Sequence, residues 1–378
     1  MNAQTKRVYG KDTVIVLKGK KLRLDELNEN IKNTEKLSAK RVLTLFCAAL
    51  LILGAAMFAG CTAAPNQNEG ISVMQSDGSY VNLPHAADKI VILSSNAAEM
   101  LQILGAADKV VGACDTILNN EYLGPMFPNA ADTGKWNVPD LETIITLSPD
   151  VVIAYSSSKP KNADAIKAAN IPIVYIDCYK PMTICQDVRE LGKLVGNPEK
   201  AEEFCEYYEG IMDTLSGRIS NVTAEHPRVF CEGNTDYSAM GVGSAMDLLL
   251  NIVNGVNIVE AEYTSSTMKV SPEWIIDQNP AVYIKVTNHA NMADAENRYN
   301  AIASRTGFPG IRAIEDNRLR LIDSGITYGP RSFAGAASFA KMLYPEEFKD
   351  LSVEDMLNDY NTRYSLNLPV ENTVYPKF

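Results

Sequence analysis

The chain has 378 residues, 46% of them hydrophobic and 21% charged, with a formal net charge of −11 at pH 7. The first 60 residues hold 11 Lys and Arg against 5 Asp and Glu, which leaves 24 against 41 in residues 61–378, a net charge of −17. A body this acidic is not built to grip nucleic acid or an anionic membrane surface through charge. Its length suffices for two α/β lobes, each with a core of its own.

Residues 42–61 read VLTLFCAALLILGAAMFAGC, preceded by Lys40 and Arg41. A basic flank, an apolar run and small residues before a cysteine form an export signal. The Ala59-Gly60-Cys61 ending resembles the lipobox of prokaryotic lipoproteins. That resemblance implies a diacylated Cys61 as the mature N-terminus and residues 1–60 as leader and signal peptide. An uncleaved anchor is the alternative, since the run is just long enough to span. Phe58 stands where an aliphatic residue is usual in a lipobox. No second apolar span of about 18 residues follows. Five further cysteines (Cys114, Cys178, Cys185, Cys205 and Cys231) form no C-x-x-C and read as small buried hydrophobes.

Residues 61–70 are polar and small, a lipid-attached tether. Strand and helix then alternate. Residues 89–93, 110–113, 151–154 and 173–176 are β-branched strands; 97–104, 141–147 and 163–169 are helices. This rhythm predicts a parallel sheet covered on both faces, in an N-terminal lobe over 71–182. A helical connector occupies 183–222. It comprises a helix over 183–195, a turn with Asn197 as cap and Pro198 at the first helical position, and a long helix from Pro198 to about Val222. Ala201, Phe204, Tyr208, Ile211, Leu215, Ile219 and Val222 share one face of that helix. Strands at 228–231, 282–285 and 319–322, with helices at 244–253, 272–278 and 332–343, build a second lobe over 223–378. The expected fold is α/β: two Rossmann-like lobes with parallel sheets, joined by a single long helix.

Several segments carry a resemblance in the same order along the chain. They are Lys89 to Leu101, Leu104 to Gly112, Gly134-Lys135-Trp136, Pro139 to Ile144 and Leu147 to Ile153 in the first lobe. In the second they are Val270 to Ile275, Asn279 to Ile284 and Tyr328-Gly329-Pro330-Arg331. Over about residues 71–350 the chain resembles the substrate-binding lipoproteins of ABC importers for iron–siderophore, haem and cobalamin. The resemblance implies a ligand between the lobes, a permease dimer with ATPase subunits as partner, and a monomeric binding protein that is not an enzyme. It also implies that Glu142 and Glu273, one per lobe, dock into the permease. Each starts a short helix, where a carboxylate is favoured by the helix dipole; an ordinary solvated acid is the alternative.

A cleft outside the carboxyl ends of the strands would draw on Ser95, Asn96, Trp136, Tyr155, Tyr237, His289, Tyr328 and Arg331, with Tyr179 and Asn234 nearby. Aromatic walls and a guanidinium suit a large chelate with anionic groups. Trp136 could equally be core, and Arg331 could equally cap carbonyls. The expected ligand is an iron–siderophore, otherwise haem or a corrinoid, with no direct metal ligation by the protein. A tetrapyrrole chelatase-like enzyme is the rival reading, and a sensor lobe a third. With only His85, His226 and His289 in the chain, a chelatase or a bare Zn or Mn site would be short of ligands.

Overall fold

The computed structural model describes residues 14–17, 20–23, 70–259 and 266–378. Val14–Leu17 and Lys20–Arg23 form an antiparallel hairpin in a unit of their own, and residues 68–378 form the other compact unit. Cys61 and the apolar run before it lie outside the described residues. Among the described residues no helix is long and apolar enough to cross a membrane.

The N-terminal lobe opens with an antiparallel hairpin, β1 (Ile71–Met74) and β2 (Tyr80–Leu83). Its sheet comprises β3 (Ile90–Ile92), β4 (Val110–Ala113), β5 (Ala131–Asp132), β6 (Val151–Ala154) and β7 (Ile173–Tyr175). The order is β7-β6-β3-β4-β5 and every pairing is parallel. Every residue of β3, β6 and β7 is buried, as expected when both faces are covered. Its helices include α1 (Ser95–Ile103), α2 (Leu141–Leu147) and α3 (Ala163–Ala168), with a single turn at Asp115–Leu118.

The connector contains α4 (Ile184–Val195) and α5 (Pro198–Ile219), a helix of 22 residues and roughly 33 Å. Two expectations are corrected here. The helix stops at Ile219, short of Val222, because Ser220 and Asn221 turn their side chains back onto the Gly217 carbonyl at 2.8 and 2.9 Å. Asn197 does not cap with its side chain; its amide instead donates to the Leu104 carbonyl of the first lobe at 2.8 Å.

The second lobe has β8 (Arg228–Glu232), β9 (Ser238–Met240), α6 (Ala245–Ile252), β10 (Val256–Asn257), β11 (Thr267–Lys269), α7 (Pro272–Gln278), β12 (Val282–Thr287), β13 (Leu319–Asp323), α8 (Ser332–Leu343), α9 (Val353–Tyr364) and β14 (Val374–Tyr375). The centre of its sheet is parallel, with β10 and β12 against β8, and β13 against β12. Its edges are antiparallel: β9 and β11 on one side, β14 on the other. The second sheet is therefore mixed.

The bridging helix is clamped along its length. Phe204, Tyr207 and Tyr208 of α5 pack with Phe333 of α8 and with Tyr360 and Tyr364 of α9, ring centroids 5.2 to 6.3 Å apart. The buried Tyr208 hydroxyl lies 2.8 Å from Ser332 Oγ. Farther along, Arg218 binds Asp350 at 2.7 Å, donates to the Glu347 carbonyl, and stacks on Phe348. Arg189 of α4 forks onto both carboxylate oxygens of Glu202 at 2.8 Å.

Candidate functional site

The residues following β3, β12 and β13 face one another across a cavity of about 340 Å³. The chain turns from β3 into α1 through Ser94, whose Oγ accepts the Ala97 amide proton. That cap sets Ser95 and Asn96 at the rim. From the other lobe come Asn288 and His289 after β12, Asp323 at the end of β13, and Tyr328 and Arg331 beyond it.

The charged groups form two sets. Arg331, with a side chain only 11% exposed, lies 3.6 Å from the buried Glu99 carboxylate, too far for a hydrogen bond. Its Nε and Nη1 have no hydrogen-bond partner. The other Glu99 oxygen accepts the hydroxyl of fully buried Tyr360 at 2.7 Å. Burial, then the Glu99 charge, push the Tyr360 phenol well above its ordinary pKa. In the second set His289 Nδ1 is 2.7 Å from Asp323 Oδ2, and Asp323 Oδ1 accepts the Gly325 amide proton. Tyr122 meets the His289 ring edge-on at 5.8 Å. Burial lifts the Tyr328 phenol to about 12, so it remains an O–H donor at neutral pH.

Gly329 lets the lobes approach. It sits at φ +78°, and a Cβ there would lie 2.7 Å from Asn96 Oδ1. Its amide donates across the lobes to the Tyr179 carbonyl at 3.2 Å.

Five of the expected residues line this cavity: Ser95, Asn96, His289, Tyr328 and Arg331. Three do not. Tyr155 stands behind Ser95, its hydroxyl accepting the Ser95 amide proton at 3.0 Å. Trp136 stands one layer farther, edge-on to Tyr155 at 6.1 Å, at the tip of a hairpin between Gly134–Lys135 and Val138–Pro139. Tyr237 belongs elsewhere. The loop after β8 folds back as β9, the Tyr237 amide binds Glu232, and its ring lies over Arg305 at 4.5 Å. Glu99, Tyr122 and Asp323 escaped the sequence reading. A carboxylate ending an apolar strand and another inside an apolar helix were the available signals for Asp323 and Glu99. Tyr122, in an irregular segment, gave none. His85 and His226 are exposed. Among the described residues no group of three or more His, Cys, Asp or Glu could hold a metal ion. The five cysteines named above are free and buried.

Glu142 and Glu273 are both exposed, in the first turns of α2 and α7. The two helices have the same plan. Each has seven residues, a side-chain cap (Asp140 onto Thr143, Ser271 onto Trp274) and a left-handed residue at its end (Ser148, Asn279). Each is followed by proline, one further residue, and a strand.

The Periplasmic binding protein family model, Peripla_BP_2, matches residues 90–325. The uncharacterized ABC transporter substrate-binding lipoprotein YvrC of Bacillus subtilis is 24% identical over 321 residues, covering 80% of this chain and 98% of that protein. The vitamin B12-binding protein of Yersinia pestis is 25% identical over 213 residues, covering 54% and 72%. The fold is similar to that of the molybdate-binding protein MolA of Haemophilus influenzae, solved with molybdate. The TM-score is 0.67 at 20% identity, over 79% of this chain and 99% of that one. The family model spans more than half of the chain and the relatives are substrate-binding proteins, so the chain is a binding protein and not an enzyme, and it belongs to the periplasmic binding protein family.

Proposed function

We propose that this chain is the extracytoplasmic substrate-binding lipoprotein of an ABC importer, capturing an anionic metal chelate between its lobes and delivering it to the permease. The observation that carries the ligand's charge is Arg331. A nearly buried guanidinium with two unpartnered nitrogens, facing a cavity between lobes, is suited to a carboxylate, catecholate or hydroxamate oxygen. A ferric siderophore is the first candidate, haem or a corrinoid the next. Tyr328 donates a further hydrogen bond, while Tyr155 and Trp136 back the wall. A second reading, a compact oxyanion of the molybdate type, is favoured by the modest volume and polar rim of the cavity, and MolA is named for that ligand.

Cys61 carries the lipid in this reading, in keeping with its similarity to the lipoprotein YvrC. Glu142 and Glu273 present matching carboxylates from matching helices to the two permease subunits, and the binding protein acts as a monomer. Titration with ferric siderophores, haemin, corrinoids and molybdate, beside free Fe, Zn and Mn ions, tests the ligand class. Tight binding of a bare cation with none of any anion or chelate would overturn it.

A further inference from the structure

We propose a second anion site on the C-terminal lobe, at the amino end of β13 and opposite the cleft, taking a phosphate-type oxyanion. A cavity of about 410 Å³ lies there between residues 316–320 and the segment 341–349. It adjoins another of about 300 Å³ that shares Lys341 and Lys349. Four cations surround the first: Arg318, Arg320, Lys341 and Lys349.

None of the four has a carboxylate within ion-pair distance among the described residues. Arg318 donates to the Met342 and Leu343 carbonyls at 2.9 Å, Arg320 to the Asn317 and Leu319 carbonyls at 2.8 Å, and Lys341 to the Leu351 carbonyl. The acids at the two rims are bound to other cations. Asp316 pairs with Arg312 at 3.3 Å, Asp350 with Arg218 at 2.7 Å, and Glu354 with Lys377 at 3.0 Å. Arg320 Nε is buried with no partner at all. Burial, then repulsion from Arg312, depress the Arg318 guanidinium against the opposing pull of Asp316, and burial depresses that of Arg320. Closing the end of α8 accounts for Arg318. It does not account for Arg320 Nε or for Lys349. In a chain of net charge −11, three cations left to carbonyls, with Lys349 beside them around one cavity, are compensated by an oxyanion seated among them.

The test uses the full chain carrying Arg331→Gln, so that the cleft is silenced and failure of the cleft reading leaves this one standing. Inorganic phosphate is titrated at low salt by calorimetry and by ³¹P line broadening, with dissociation constants of about millimolar or tighter expected. Lys349→Glu and Arg320→Gln should each weaken binding about tenfold or more. Lys349 is exposed, so its variant should keep the parent's melting temperature. A second arm measures binding to phosphatidylglycerol and phosphatidylcholine vesicles. Phosphate binding lost in Lys349→Glu supports the site with a free ion as ligand. Preference for phosphatidylglycerol lost in the same variant supports it with a lipid headgroup as source. Absence of both, or binding indifferent to both variants, overturns it.

Discussion

Arg331→Met separates what this side chain does for folding from what it does for binding. Its guanidinium forms an ion pair with Glu99 without a hydrogen bond, and Nε and Nη1 have no hydrogen-bond partner. Removing it relieves buried donors that cost about 1 to 3 kcal/mol, and it leaves Glu99 with only the Tyr360 hydroxyl, a loss of similar size. The two terms oppose each other, so unfolding free energy should move by no more than about 1 kcal/mol, a shift of about 2 to 4 °C in melting temperature. Affinity should fall much further. One charge-assisted hydrogen bond is worth about 1.5 to 3 kcal/mol, or roughly 10- to 150-fold in Kd. Arg331→Met with Glu99→Gln should recover stability without recovering binding, since Gln still accepts from Tyr360. Calorimetric titration and thermal melts of the wild type and the two variants decide it. Affinity within about twofold of wild type in Arg331→Met would refute the anion hook. A collapse in melting temperature alongside lost binding would make Arg331 structural.

Cys61→Ser should abolish incorporation of a labelled fatty acid and leave residues 1–60 uncleaved; unchanged acyl labelling of that variant would contradict lipidation. Glu142→Ala and Glu273→Ala should leave ligand affinity near wild type and lower uptake, most in the double variant, with stability changed by about 0 to 1 kcal/mol because both carboxylates are exposed. Loss of ligand binding in a folded variant would remove the docking role. Gly329→Ala places a Cβ 2.7 Å from Asn96 Oδ1 at φ +78° and should destabilise by about 1 to 3 kcal/mol while weakening ligand binding; a melt matching wild type would show that the lobes have room to spare there.

The elements that carry long apolar periods were legible in the sequence. The helices 141–147, 272–278 and 332–343 and the strands 110–113 and 151–154 stand where their patterns put them. What escaped has short or irregular patterning. Strands β9 and β11 have three residues each, too few to show an alternation, and they turned the second sheet mixed. Helix α9 buries only Val353, Leu357 and Tyr360 on an otherwise polar surface, yet it supplies the hydroxyl that holds Glu99. The lining of the cavity was legible where a residue directly follows a strand, as with Ser95 and His289. It failed at Tyr237, because nothing local in residues 233–237 reveals that the chain reverses into an antiparallel edge. Trp136 lies in a polar loop, and its ring meets Tyr155 edge-on.

The geometry also bears on how a helix-bridged protein gives up its ligand. Bending α5 would separate a cluster of six aromatic rings and the Arg218–Asp350 pair, each aromatic contact contributing about 0.5 to 1.5 kcal/mol beyond its burial. The ties between lobes beside the cavity include the Gly329 amide on Tyr179, Arg331 and the Tyr360 hydroxyl on Glu99, and the edge-on contact of Tyr122 with His289. Opening should therefore be a small rocking that breaks these ties while α5 keeps its shape. The two helices proposed to meet the permease are placed to drive it. Helix α2 leads through one tight turn into β6, whose next residue is Tyr155, bonded to the Ser95 amide at the cavity rim. Helix α7 leads in the same way into β12, which is followed by Asn288 and His289. Strands of four and six residues, roughly 13 and 20 Å, are stiff connections between a surface carboxylate and a cavity wall. A displacement imposed on Glu142 or Glu273 thus reaches the cleft through a single strand in each lobe, without any hinge in the bridge.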